Sequence, residues 1–216
     1  MLILKYLEME LFMKQSMINK RQYFILSFYL TRVLFLGIGF SVLVGISKNS
    51  LIISSFLGML LEYFLLYLFY KKGSIGKIAS ISISIVTLLT GLLAITTLTG
   101  TYLLYDTPTL FIMTAFFIVL VYGATKEMKI TSRVSEIFYP FSLFIILFGF
   151  LALLFLVNLF NLLPLFNTSF LNFVQGILVF TSTSLMPNLL LINYKDDLKF
   201  KDVGSGYLFG CILTLI

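Results

Sequence analysis

Histidine is absent from the 216 residues, and cysteine occurs once, as Cys211. Without histidine there is no imidazole acid–base chemistry, and with one cysteine there is neither a disulfide framework nor a Cys/His metal site. Charge is scarce too, at 11% of residues against roughly a quarter in an ordinary soluble domain. Too little polar sequence remains to cover a globule of this size. No nucleophile stands with a base and no acids pair up, so the chain reads as a non-enzyme with no catalytic residue, metal or cofactor.

What is present is hydrocarbon. Hydrophobic residues make up 60% of the chain, in blocks of about 20, the length a helix needs to cross roughly 30 Å of bilayer core. A β-barrel would show alternating segments of about ten residues instead. The fold class is therefore an all-α polytopic membrane protein, with six complete spans and a partial seventh. The spans fall at about 22–46, 51–70, 78–101, 108–122, 134–156 and 176–192, the partial one at 203–216, after a tail at 1–21. The charge-free stretch 137–194 would extend roughly 87 Å as one helix, so it must fold back, and Pro164 marks the place. A short helix at about 169–175 is expected before the sixth span.

Lysine and arginine set the orientation. Lys5, Lys14, Lys20 and Arg21 precede the first span. Lys71, Lys72 and Lys77, then Lys126, Lys129 and Arg133, then Lys195, Lys199 and Lys201 occupy every second loop. The opposite loops hold only Lys48. The basic face should be cytoplasmic, which gives a multi-pass plasma-membrane protein with its N-terminus inside. Basic residues spread over four short segments do not form a groove, so nucleic acid is not a partner; the bilayer is.

Within the spans, polar residues need a reason. Arg32 lies about ten residues, roughly 15 Å, into the first span, and Glu62 lies at nearly the same depth in the second. Charges at that depth pair or face a polar cavity. The structural expectation is an Arg32–Glu62 ion pair; the functional one makes Arg32 a carboxylate site or Glu62 a proton carrier. Gly37-Ile38-Gly39, with Ser41 beyond, lacks the dinucleotide fingerprint, because position 42 is Val and no strand precedes it. In lipid, paired glycines mean close packing or a helix break that exposes backbone to a solute. A second candidate break is the sixth span at Pro187, where proline either kinks or interrupts the helix, with Thr181, Ser182, Thr183 and Ser184 supplying hydroxyls. Gly37, Ile38, Gly39, Ser41, Thr183, Ser184 and Pro187 are thus the candidate ligand- or ion-binding residues. Two interrupted helices five apart suit a five-helix unit repeated with inverted topology. In the third span Ser80, Ser84, Thr87, Gly91 and Ala94 form a small-residue face suited to helix packing.

Four motifs in order carry a family resemblance: Asn19-Lys20-Arg21-Gln22, Thr107-Pro108, Arg133-Val-Ser-Glu136-Ile-Phe-Tyr-Pro140 and Asn161-Leu-Leu-Pro164. Over roughly 18–198 the chain resembles the spore-germination permease family, the B-type subunits of nutrient germinant receptors. That family lies within the amino acid–polyamine–organocation transporter superfamily. The resemblance implies ten helices in a LeuT-like bundle, of which this chain would hold the first repeat and the start of the second, as a truncated member. It implies an amino acid or similar nutrient held where the first and sixth helices unwind. It also implies A- and C-type receptor subunits as partners, and the inner membrane of the spore as location in a sporulating host. Glu136 is expected to make an exposed i,i+3 pair with Arg133. Two other functions stay open: an ordinary amino acid permease with real flux, and a non-transporting membrane scaffold.

Overall fold

The structure, a computed structural model, describes residues 18–35, 39–73, 75–126, 128–154, 168–194 and 198–215. The expected tail up to residue 17, Gly37, Ile38 and the fold-back at Pro164 with its Asn161-Leu-Leu-Pro164 motif lie outside them. Among the described residues every regular element is helical.

Helix α1, Lys20–Leu34, starts on a capping box built from the Asn-x-x-Gln motif. The Asn19 side chain accepts from the Gln22 N–H at 2.9 Å, and the Gln22 side chain accepts from the Asn19 N–H at 3.1 Å. Two N–H groups left over at a helix start are thereby satisfied. Helix α2 follows at Phe40–Ser47. The chain then reverses through a 3-10 turn, Lys48–Ser50, in which Lys48 takes φ +44°. Helix α3, Leu51–Lys72, ends at Gly73 with φ +94°, a conformation that glycine reaches without a Cβ clash. Helices α4, Lys77–Tyr102, α5, Thr109–Ala124, and α6, Met128–Leu154, complete the first part of the bundle. Helix α7, Phe170–Leu191, runs into a 3-10 turn, Ile192–Tyr194, and α8 spans Phe200–Leu215.

Helix α3, within the apolar run Phe40–Lys72, and the helices at Ile78–Thr101, Met128–Ala152 and Phe170–Tyr194 are long and apolar enough to cross a membrane; Thr109–Ala124 is apolar but shorter. Two boundaries differ from expectation. The short helix at 169–175 and the span at 176–192 are one continuous element, capped by the Ser169 side chain, which accepts from the Asn172 N–H at 3.3 Å. Helix α6 begins well before residue 134, because Met128 to Arg133 continue the helix at the basic end.

The core forms around α7, which touches α1, α2, α3 and α4, and around α1, which packs most extensively on α8. That last contact is close for a simple reason. A Cβ at Gly206 would lie 2.5 Å from the Phe24 carbonyl oxygen, and one at Gly210 would lie 3.1 Å from Thr31. Lipid tails are as apolar as leucine, so helices associate in them through such close approach rather than through hydrophobic burial. The small-residue face of α4 is used over part of its length: Gly91 and Ala94 are buried, Gly91 toward Val33, whereas Ser84 is exposed.

One end of the bundle collects the basic residues. The Lys20 ammonium lies 2.5 Å from Asp202, Arg21 Nε lies 3.5 Å from Glu136, and the Gln22 amide donates to Glu136 at 3.4 Å. The Tyr70 hydroxyl donates to the Leu198 carbonyl at 2.8 Å, and Asn193 joins Ile75 and Ser80. Glu136 therefore meets Arg21 and Gln22 rather than the expected Arg133. The start of α1 lies beside it, and a contact between helices there replaces the pair within one helix. The hydrogen bond from Lys20 holds the Asp202 carboxyl below its ordinary value. At the opposite end Ser50 and Thr168 share a hydrogen bond at 2.8 Å.

Candidate functional site

A chain of polar side chains crosses the buried middle of the bundle. Ser27 and Thr31 sit four residues apart on one face of α1, and Ser184 and Asn188 do the same on α7. The Ser27 hydroxyl donates to Asn188 Oδ1 at 2.7 Å, and Asn188 Nδ2 donates to Thr31 Oγ1 at 2.9 Å. From α3, Glu62 closes the row: its Oε2 lies 2.5 Å from Ser184 Oγ, and the residue is 0% exposed. Every one of these five residues is buried. In hydrocarbon an unpaired polar group costs several kcal/mol, so the mutual bonding fixes the rotation of α1, α3 and α7 about their axes.

The candidate break at Pro187 is absent: α7 is helical from Phe170 to Leu191 with Pro187 buried inside it. Proline removes one N–H donor, and side chains bond the backbone on either side. Thr183 Oγ1 donates to the Val179 carbonyl at 2.8 Å, Ser184 Oγ lies 2.8 Å from the Phe180 carbonyl, and Asn188 Nδ2 donates to the Ser184 carbonyl at 3.0 Å. The hydroxyl run thus bonds a continuous helix. In the first rod α1 runs to Leu34 and α2 starts at Phe40; Phe35 and Gly39 both keep helical backbone, and the expected break between them lies outside the described residues. Gly39 meets α7 there, since a Cβ on it would sit 2.8 Å from Thr183 Oγ1. The structure therefore brings Gly39 to Thr183 and Ser184 to Glu62. Ser41 faces outward and is exposed.

Arg32 belongs to a separate place. It is 7% exposed, its guanidinium carbon lies 4.4 Å from the Phe28 ring centroid, and Nε and Nη2 have no hydrogen-bond partner among the described residues. The expected ion pair with Glu62 is not formed. Among the described residues the ion pairs are Lys20–Asp202 and Arg21–Glu136, and Glu62 is engaged by Ser184. The two charges differ in direction: Glu62 bonds Ser184 of α7, while Arg32 lines a cavity of about 810 Å3. Phe35, Leu147, Phe150 and Phe209 give that cavity an apolar body. Its polar lining includes Ser55, whose buried hydroxyl likewise has no partner among the described residues. The arrangement suits a small molecule with a carboxylate at one end and hydrocarbon at the other.

Sequence reasoning missed Ser27, Thr31 and Asn188, and with them Tyr207 and Cys211, which α8 buries beside Glu62. Two signals pointed to them: hydroxyl and amide residues at i,i+4 within apolar runs, and Gly206-x-x-x-Gly210, a close-packing motif. Comparison with known proteins finds no matching family model, no matching curated protein and no matching solved structure.

Proposed function

We propose that this chain is a membrane protein of transporter type that recognises a small carboxylate-bearing nutrient, in the simplest case an apolar amino acid, in the Arg32 cavity. One observation supports this above the others: a buried guanidinium, two of whose nitrogens lack hydrogen-bond partners among the described residues, and a buried hydroxyl that also lacks one line the same apolar cavity. A carboxylate would satisfy Arg32 and accept from Ser55, and the phenylalanines would cover the rest of the solute. The four long apolar helices support placement in a membrane. A LeuT-like arrangement, plasma-membrane location with the basic end cytoplasmic, and nutrient sensing with A- and C-type germinant receptor subunits rest on the charge pattern and the family resemblance.

The test is saturable binding of labelled apolar amino acids to the purified chain in lipid nanodiscs. Arg32→Leu should weaken binding about tenfold to a hundredfold, as expected for one charge-assisted bond set, and Ser55→Ala should weaken it less. Absence of saturable binding to the wild type sinks the reading and leaves the scaffold alternative. Uptake into proteoliposomes would mark an ordinary permease, and binding without uptake a sensor.

A further inference from the structure

Glu62 is the one acid among the described residues buried at mid-span, and the Arg32 cavity does not use it. Its surroundings can be followed helix by helix. Helix α2 carries no titratable residue, and α7 presents only the Ser184 hydroxyl. Helix α8 presents Tyr207 and Cys211, and its Lys201 and Asp202 stay at the basic end. Arg32 of α1 makes no ion pair with Glu62. No cation therefore faces this carboxyl from the helices packed on it.

Hydrogen counting then decides the chemistry. Ser184 Oγ has one hydrogen and two oxygens in reach, Glu62 Oε2 at 2.5 Å and the Phe180 carbonyl at 2.8 Å. With Glu62 ionised, the hydroxyl must choose, and Oε1 makes no hydrogen bond of good geometry among the described residues; the Tyr207 hydroxyl, itself unbonded beside Glu62, is a further donor near it. A buried carboxylate with no cation to pair with it costs several kcal/mol, and the tyrosine donor serves the protonated acid equally well. With a proton on Oε2 both bonds form in series: Glu62 donates to Ser184, and Ser184 donates to Phe180. Hydroxyl hydrogens rotate, so the oxygen positions accept this direction unchanged.

We propose that Glu62 is a buried proton-binding site, loaded at neutral pH and handed to Ser184 Oγ, which opens to water only when α7 moves off α3. On opening, the Glu62 O–H bond breaks, the proton passes to an admitted water, and the charge stays on the solvated carboxylate. The ligand of this site is the proton. It lies on the contact between the helix that packs on Gly39 and the helix that supplies Ser55, so opening and proton release go together.

Infrared spectroscopy of the full chain in lipid at neutral pH tests this. The wild type should show a protonated-carboxyl band that Glu62→Gln removes and Ser184→Ala shifts, and in D2O that band should exchange slowly. If Glu62→Gln does not fold, carboxyl-13C glutamate with and without Ser184→Ala replaces it: an isotope-shifted acid band that Ser184→Ala moves supports the site. Carboxylate bands alone, from either sample, overturn it. Prompt deuterium exchange overturns the gating by α7. Because no nutrient is added, these outcomes are independent of the Arg32 cavity.

Discussion

Helices α6 and α7 are of similar composition class and opposite fate. In the most apolar 18-residue window of α7, with mean hydropathy 1.4, 56% of residues are buried; in that of α6, with mean hydropathy 1.9, none is. The less apolar helix is the inside one. Phe138, Phe141, Phe144 and Phe148 of α6 turn outward, whereas Thr181, Ser184 and Asn188 of α7 turn in. In water the ranking would reverse. In lipid, apolar side chains gain little by meeting each other, and helices are held by close backbone approach and by polar groups with nowhere else to bond.

The contrast can be broken by substitution. Gly206→Leu should do most, because it drives a side chain into the Phe24 backbone and parts α8 from α1; a loss of roughly 3 kcal/mol or more is expected, read as a lowered unfolding midpoint in detergent. Asn188→Leu comes next. It raises apolarity yet strips Ser27 and Thr31 of their partner, so a loss of about 2 kcal/mol is expected. The matched change on the outward face, Phe144→Leu, should stay within about 0.5 kcal/mol. Equal effects of these two substitutions would mean that inside and outside obey one rule. The smallest effect lies at the basic end. Asp202 is more acidic folded than its ordinary 3.8, so its contact with Lys20 adds stability above that pH and loses it as pH falls through the folded value. The difference in midpoint between wild type and Asp202→Asn should therefore shrink on acidification, and growth of that difference would reverse the assigned sign.

Position along each helix was legible in the sequence; rotation about its axis was not. Runs of apolar residues located the long helices because length against bilayer thickness is a one-dimensional question. Arg32 and Glu62 were expected to pair from their matched positions along two helices, yet pairing also needs their directions, which depend on what α7 and α8 present. Glu62 turns to Ser184, and only the packed bundle shows that. Pro187 was read as a candidate break because proline removes a donor, while the compensating bonds from Thr183, Ser184 and Asn188 to the backbone depend on rotamers. Gly39 was read as a place of close contact or break, and its contact is with Thr183, from the other candidate rod. Asn188 went unnoticed because its signal, the i,i+4 spacing from Ser184, does not by itself show that both face a neighbouring helix.

Lys20 and Arg21 are neighbours in sequence but grip different helices, one reaching α8 through Asp202 and the other α6 through Glu136. Both lysine and arginine are largely exposed, at 67% and 76%, so dissolved ions compete with each grip at once and the Debye length governs both. Ionic strength thus acts as a common handle on three helix ends, loosening one mouth of the bundle while the hydrogen-bonded interior, shielded from ions, keeps its shape.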